Sequence, residues 1–277
     1  ELGGKEAPAM AFGTISADAL ELVGKGQDGL RTRVFVTQGA SDYSLSYTLQ
    51  IENNTNATTQ AGATFRLLMA RIEAAGGGMG MPATAPMGVC EQGPDVVRHE
   101  FDDIEEESFV GQSATTWVGL DQQYFVVAAV PAQPKLSRCE MRIEDNHFLA
   151  DLVMKPQSLA PGEAWEKQLT LYAGPKRDAT MAKAASSLPR IVDYTIMGIP
   201  LGFLARPMIW MLNIFHSQIG SWGISIMLLT LFVKLLLFPI TYKSAVSMRQ
   251  MQLLKPELDK IKERFGDDRE KQQMAQL

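Results

Sequence analysis

The 277-residue chain contains two cysteines and three histidines, and that scarcity excludes several kinds of chemistry. His99, His147 and His216 lie far apart with no partner at ligand spacing, so no metal site is expected. None of the three sits in a recognisable acid–base constellation, so no catalytic residue is assigned. Cys90 and Cys139 permit at most one disulfide. If their domain faces an oxidising compartment, that bond and a pair of buried free thiols are both open. The chain also lacks an excess of positive charge: the net charge is −5, and no nucleic-acid surface is suggested. The stretch "AAGGGMGMPATAPMGVCEQGPD", from Ala74 to Asp95, has glycines at phosphate-loop-like spacing. No Lys-Ser/Thr follows it and no helical pattern opens after it, so it reads as a flexible surface loop. The first residue is Glu1, and nothing near it resembles a signal peptide. The chain is therefore expected to begin inside a longer protein, and its last pattern, "EKQQMAQL", to break off in mid-helix.

What is present divides in two. From Tyr194 onward there are ten Lys and Arg against six Asp and Glu, leaving sixteen against twenty-five in residues 1–193. An acidic soluble domain precedes a basic, partly apolar tail. Residues 1–190 read as all-β. In "YSLSYTLQIENN", Tyr43, Leu45, Tyr47, Leu49 and Ile51 alternate with small or polar residues before an Asn pair stops the run. "TRVFVTQ" and "WEKQLTLYAGP" behave similarly, and "QQYFVVAAVP" is continuously apolar, as a strand buried on both faces would be. Turn clusters at Gly24–Gly29 and Ala160-Pro161-Gly162 punctuate these runs, so antiparallel sheets packed as a sandwich are expected. Asn53 and Asn56 each begin an N-x-Thr sequon, which matters only in a eukaryotic secretory route.

Residues 191–219 change character. Pro200 and Pro207 interrupt an apolar and aromatic stretch, and from Pro207 Met208, Met211, Leu212 and Phe215 recur at helical spacing. Such a helix suits the plane of a membrane surface; a linker helix packed on the β domain is the alternative. Residues 220–242 then supply about 20 apolar residues, the length that a bilayer core demands. Trp222 and Tyr242 stand at its ends, where amphipathic rings favour headgroups. Lys243, Arg249, Lys255, Lys260, Lys262 and Arg264 follow, against Glu257, Asp259 and Glu263, which marks that end as cytoplasmic. The acidic domain would then lie outside. In residues 243–277, Met251, Leu254, Leu258, Ile261 and Phe265 are spaced 3, 4, 3 and 4 apart, a heptad seam that asks for a partner helix. Gly266-Asp267-Asp268 would end that helix and start another, completing a helical hairpin.

Within "LTLFVKLLLFPI" lies Lys234. At ~1.5 Å per residue it is about 18 Å from Trp222 and about 12 Å from Tyr242. An ammonium at such depth costs ~3 kcal/mol on insertion scales, so it should be avoided or used. Snorkelling to the headgroups would need about twice the ~6 Å that a lysine side chain reaches, unless the helix tilts or the bilayer thins. The other reading is that Lys234 faces a wet cavity made with further helices and presents charge to something acidic. Thr230 and Thr241 share its face and make it mildly polar.

These residues carry a resemblance. Lys234, Phe238-Pro239-Ile240-Thr241, Leu254-Lys255-Pro256 and Lys262-Glu263-Arg264-Phe265-Gly266-Asp267-Asp268 resemble the start of the conserved core of the YidC/Oxa/Alb membrane protein insertases. Trp117-Val118-Gly119-Leu120, Gln122-Gln123-Tyr124-Phe125 and Leu171-Tyr172-Ala173-Gly174-Pro175 resemble the large periplasmic domain of the Gram-negative YidC type, and Val192-Asp193-Tyr194 its junction with a surface helix. Residues 100–277 carry the likeness well and residues 1–100 loosely. The resemblance implies a periplasmic β-supersandwich, an interfacial helix, the first core transmembrane helix and a cytoplasmic hairpin, in the bacterial inner membrane. It implies a hydrophilic groove in which a positive residue, here Lys234 where arginine is usual, receives the polar tail of a nascent membrane protein while the apolar helix slides into lipid. The upstream anchor and four later core helices of that family are not in this sequence. No cofactor is implied. The partners would be nascent membrane proteins and the lipid bilayer, with the Sec translocon, the ribosome and signal recognition particle components open as others. Two rivals remain: a periplasmic interaction module tethered by one helix, and a sugar enzyme like the mutarotases that such sandwiches resemble.

Overall fold

The computed structural model describes residues 10–15, 19–25, 29–70, 86–112, 114–196 and 199–265. It divides into two units, Glu1–Asp193 and Tyr194–Leu277. The first is built mainly from antiparallel strands. They begin with β1 (Met10–Ile15), β2 (Ala19–Lys25), β3 (Leu30–Gln38), β4 (Ser44–Asn53), β5 (Thr59–Ala61) and β6 (Thr64–Ala70). After β7 (Met87–Gln92) and β8 (Asp95–Glu100) comes a short helix, α1 (Phe101–Glu106). The chain continues through β9 (Phe109–Val110), β10 (Thr115–Asp121), β11 (Phe125–Pro131), β12 (Ser137–Glu144) and β13 (His147–Met154). It closes with β14 (Gln157–Leu159), β15 (Ala164–Pro175), the helix α2 (Asp178–Ala184) and a 3-10 turn at Leu188–Ile191.

Nine strands form one sheet in the order β1-β2-β3-β4-β15-β11-β10-β7-β8, and four form another in the order β6-β13-β12-β9. The sequence explains the pairing through which faces are apolar. Strand β11 lies between β15 and β10, where Val127 and Ala129 face the small sheet while Val126, Ala128 and Val130 face the other way. A strand with both faces in apolar surroundings must be apolar throughout, as this one is. Between the sheets Ile51, Trp165 and Leu169 meet Phe148, Leu152 and Met141. On the back of the large sheet Val89, Trp117 and Tyr172 are covered by Met181, Leu188 and Ile191. Along β4 the alternating face runs from fully buried Ile51 to Leu45, and on to Tyr43 just before the strand, the last two about two-fifths exposed at 41% and 40%.

The turns follow residue chemistry. Ala160-Pro161-Gly162 closes with Glu163 N–H donating to the Ala160 carbonyl at 3.0 Å, and Gly162 takes φ +77°, which suits a residue without Cβ. The β12–β13 hairpin turns on Asp145 and Asn146 with φ of 48° and 62°, the pair of positive values that a tight hairpin needs. On the outer face of the small sheet, Asp151 accepts Arg66 Nε at 2.9 Å and Nη2 at 3.1 Å, and Arg142 Nη1 at 2.5 Å, so the buried carboxylate is paired across strands.

Three expectations need correction. The Ala74–Asp95 loop is not all loop: residues 74–85 lie outside the described residues, but Met87–Gln92 is a buried strand between β10 and β8. Gly88 serves packing, because a Cβ there would come within 2.4 Å of the Phe148 ring and 2.8 Å of Met141 Sδ. Residues 1–190 also contain helices: Phe101 and Ile104 of α1, three apart, turn inward, and Glu100 and Asp103 cap its start reciprocally. Pro207 does not begin the next helix but lies inside it, as the second unit shows. Asn53 is wholly buried, its side-chain amide donating to the Leu159 and Ala57 carbonyls, so its sequon is structural.

Two outcomes follow. Gly88→Ala overpacks the space beneath Phe148 and should cost about 2 kcal/mol, read as a lower urea midpoint of the β domain. Asp121, paired with Lys176 Nζ at 2.6 Å, has its carboxyl pushed above the ordinary 3.8 by burial, which the lysine only partly offsets. The folded state therefore holds that proton to higher pH than the unfolded chain, so its contribution is lost as pH rises from 3.8. Urea titrations of Asp121→Asn across that range should lack this decline, and an unchanged slope would contradict it.

Candidate functional site

The second unit begins with a small hairpin of β16 (Thr195–Ile196) and β17 (Ile199–Pro200), followed by α3 (Gly202–Ile219) and α4 (Trp222–Phe265). Helix α3 starts five residues before Pro207, which lies in its interior and leaves the Phe203 carbonyl without its helical donor. Gly220 ends α3 in the left-handed region at φ 74°, its N–H donating to the His216 carbonyl at 2.8 Å. Two residues later α4 begins, and its Trp222 ring stacks on His216 at 3.7 Å between centroids, 11° from parallel. Ser225 is buried at this corner and donates to the Ser221 carbonyl at 2.7 Å. On α3, Phe203, Leu204 and Trp210 are exposed.

Among the described residues, one helix is long and apolar enough to cross a membrane, over Trp222–Gln252. Its Leu231, Leu235, Leu236, Phe238 and Ile240 are exposed within the chain, so water is an unsuitable surrounding for them. Helical spacing places Thr230, Lys234 and Thr241 on one face. Both hydroxyls turn back on their own helix: Thr230 Oγ1 donates to the Ile226 carbonyl at 2.8 Å and Thr241 Oγ1 to the Leu237 carbonyl at 3.0 Å. Neither needs Lys234, whose side chain is exposed. That face therefore offers one cationic donor beside satisfied hydroxyls. Met251, Leu254, Leu258, Ile261 and Phe265 all fall on α4, which runs unbroken through Pro239 and Pro256; Met251 is exposed. The second arm of the expected hairpin lies outside the described residues.

In the first unit the structure adds residues that the sequence reading passed over. Glu91, on the back face of β7, is 1% exposed. Its carboxylate accepts Arg190 Nη1 at 2.5 Å and the Ser187 hydroxyl, while Arg190 Nη2 donates to the Pro94 carbonyl. Arg98 Nη2 donates to the Arg190 carbonyl at 3.2 Å. This clamp holds the 178–191 strap on the sheet just before the chain leaves for the second unit. A lone Glu between Cys90 and Gln92 in an otherwise buried strand was the available signal. His99 packs against Phe109 at 4.4 Å, and His147 sits at the β12–β13 turn with Nδ1 2.7 Å from the Asp145 carbonyl.

Cys90 and Cys139 stand as free thiols in this structure, both wholly buried in the core between the two sheets. The Cys139 hydrogen bond holds the Cys90 thiol below its ordinary value, whereas burial pushes Cys139 up. Gln92 Nε2 donates to Cys90 Sγ at 3.4 Å.

The sequence matches two families in succession: one described as the YidC periplasmic domain, over residues 13–211, and one described as 60Kd inner membrane protein, over residues 214–277. A membrane protein insertase YidC from Nitrosococcus oceani is 31% identical over 258 residues, covering 92% of this chain and 46% of the relative. One from Vibrio cholerae is 29% identical over 281 residues, covering 95% and 50%. The chain thus spans about half the length of the curated relatives it matches. A putative aldose 1-epimerase from Escherichia coli K12 (11% identity, TM-score 0.43, 59% of this chain and 68% of that one) and a galactose mutarotase-like protein from Lactobacillus casei (10%, 0.43, 59% and 72%) are distant structural neighbours, too slight a likeness to bear on function.

Arg190→Ala would leave Glu91 buried without its cation. Loss of one partner should cost about 2 kcal/mol, less than for a fully enclosed pair because Arg190 is half exposed. Faster protease cleavage within residues 178–193, with the sheet still folded, is the expected readout.

Proposed function

Because the chain belongs to the YidC family, we propose that its parent protein is a membrane protein insertase of the bacterial inner membrane, and that α4 forms one wall of its working groove. The observation that carries this reading is Lys234: a charge at mid-depth on the membrane-length helix, on the face with Thr230 and Thr241, with no anionic partner among the described side chains of that helix. A desolvated ammonium is unfavourable without a counter-charge, and the incoming polar, often acidic, tail of a nascent membrane protein would supply one. The substrate's apolar helix can then move into lipid while its tail stays in the wet groove. The role is one of binding and release, with no covalent chemistry and no cofactor.

In this reading residues 1–190 are periplasmic, residues 191–219 lie at the periplasmic surface of the inner membrane, residues 220–242 cross, and residues 243–277 are cytoplasmic. The basic residues after Tyr242 support that orientation through the positive-inside rule. The exposed Phe203, Leu204 and Trp210 support an interfacial α3. The heptad seam from Met251 to Phe265 offers an apolar stripe for the second hairpin arm. The cytoplasmic face is where the ribosome or signal recognition particle components would dock, and the Sec translocon would lie alongside in the membrane.

The test uses the full-length parent in cells depleted of their own insertase, with insertion of a protein bearing an acidic tail as readout. Lys234→Arg should support insertion. Lys234→Ala should slow it about tenfold, equivalent to ~1.4 kcal/mol of lost charge pairing, and Lys234→Glu should abolish it. Normal insertion by Lys234→Glu would overturn the groove-charge reading. Full activity after replacement of α4 by an unrelated anchor of equal length would favour a tethered periplasmic module instead.

A further inference from the structure

Two cysteines in a chain allow a single intramolecular pairing, and the fold brings these two together from opposite sheets. Cys90 lies on β7 of the nine-stranded sheet, beside Val118 and Val97 in register. Cys139 lies on β12 of the four-stranded sheet, opposite Leu152. Both side chains point into the layer between the sheets and neither has any exposed surface. Backbone and side-chain geometry nearby fixes their approach independently. The Cys139 carbonyl accepts the Gly111 N–H at 2.7 Å. A Cβ on Gly111 would lie 3.0 Å from that carbonyl oxygen and 2.5 Å from Gln92 Nε2, the same amide that donates to Cys90 Sγ at 3.4 Å. One amide therefore touches the surroundings of both cysteines, which lie in the same buried cluster.

We infer that Cys90 and Cys139 are joined in the mature protein by a disulfide that staples the large sheet to the small one through the centre of the sandwich. The inference rests on the periplasmic placement of this domain, since an oxidising compartment is where such a bond forms and persists. The oxidant is a protein disulfide of the periplasmic thiol–disulfide exchange system. The Cys90 thiolate attacks it and forms a mixed disulfide, releasing one oxidant thiolate. The Cys139 thiolate then attacks Cys90 Sγ, releasing the second. Two thiol protons and two electrons leave the chain, the oxidant departs as a dithiol, and one S–S bond is gained. Because both sulfurs are sealed in the finished core, exchange precedes closure of the sheets and the completed bond is shielded from later reduction.

The experiment takes the full-length parent from cells quenched in acid, denatures it, and labels free thiols with a maleimide polymer before and after reduction. Protease added to spheroplasts reports the side on which the β domain lies. With the domain outside, no label at Cys90 or Cys139 before reduction and two labels after it is the expected result, together with a linked peptide lighter by two hydrogens than its reduced parts. The unreduced protein should also melt about 10 °C higher than the reduced protein. Two labels before reduction, with the domain outside, would overturn the staple. Should the domain prove cytoplasmic, the topology fails separately. Oxidised glutathione applied to the detergent-solubilised protein in mild urea then decides the pairing alone: a Cys90–Cys139 linked peptide upholds it, and its absence refutes it.

Discussion

The large sheet cannot leave either of its central faces wet, and most of the first unit follows from that constraint. Strands β10 and β11 carry apolar residues on both sides, and Val89 of β7 and Tyr172 of β15 extend the apolar back face, so two separate covers must be found. The small sheet provides one and the 178–191 strap the other. The strap is short and could not hold by apolar contact alone with the same specificity. Glu91 supplies the fixing point, a carboxylate taken out of water whose only adequate compensation comes from Arg190 and Ser187 on the strap. The element covering the sheet is thus also the element that leads to the second unit.

Glu91 and Lys234 pose the same electrostatic problem in two media. The carboxylate is buried in protein and its partners lie in the same chain. The ammonium sits on a helix suited to lipid, and the hydroxyls on its face of that helix are already committed to backbone carbonyls. A charge satisfied internally stabilises a fold; one left over is available to a ligand. That difference is the ground for proposing α4, rather than the larger β domain, as the working element.

Much of this was legible in sequence. The two-sided apolar run of β11, the alternating β4 and the membrane-length segment are strong periodic signals that tertiary packing does not reverse. The Pro161-Gly162 turn was readable because few other residues adopt its backbone angles. Strand β7 was missed because glycine, proline and methionine upstream set a loop-like composition, and Gly88 extends that composition into the strand. Its absent side chain is a consequence of Phe148, sixty residues away, which no local pattern records. Helix α1 was missed because a two-turn element buries only Phe101 and Ile104. Glu91's partners lie about a hundred residues downstream, so its ion pair appears only once the strap folds back. The mid-helix position of Lys234 was legible for the opposite reason: depth along one helix can be counted.

The placement of the Arg190–Glu91 clamp also has a mechanical side. A pull arriving along the backbone from Tyr194 is met first by Ile191, Arg190 and Leu188, which are seated on the sheet's back face, and only later by the hydrogen-bonded ladder of β15. The clamp would yield one anchor at a time, like a sacrificial tether, and the sheet would carry no tension until the strap had peeled away.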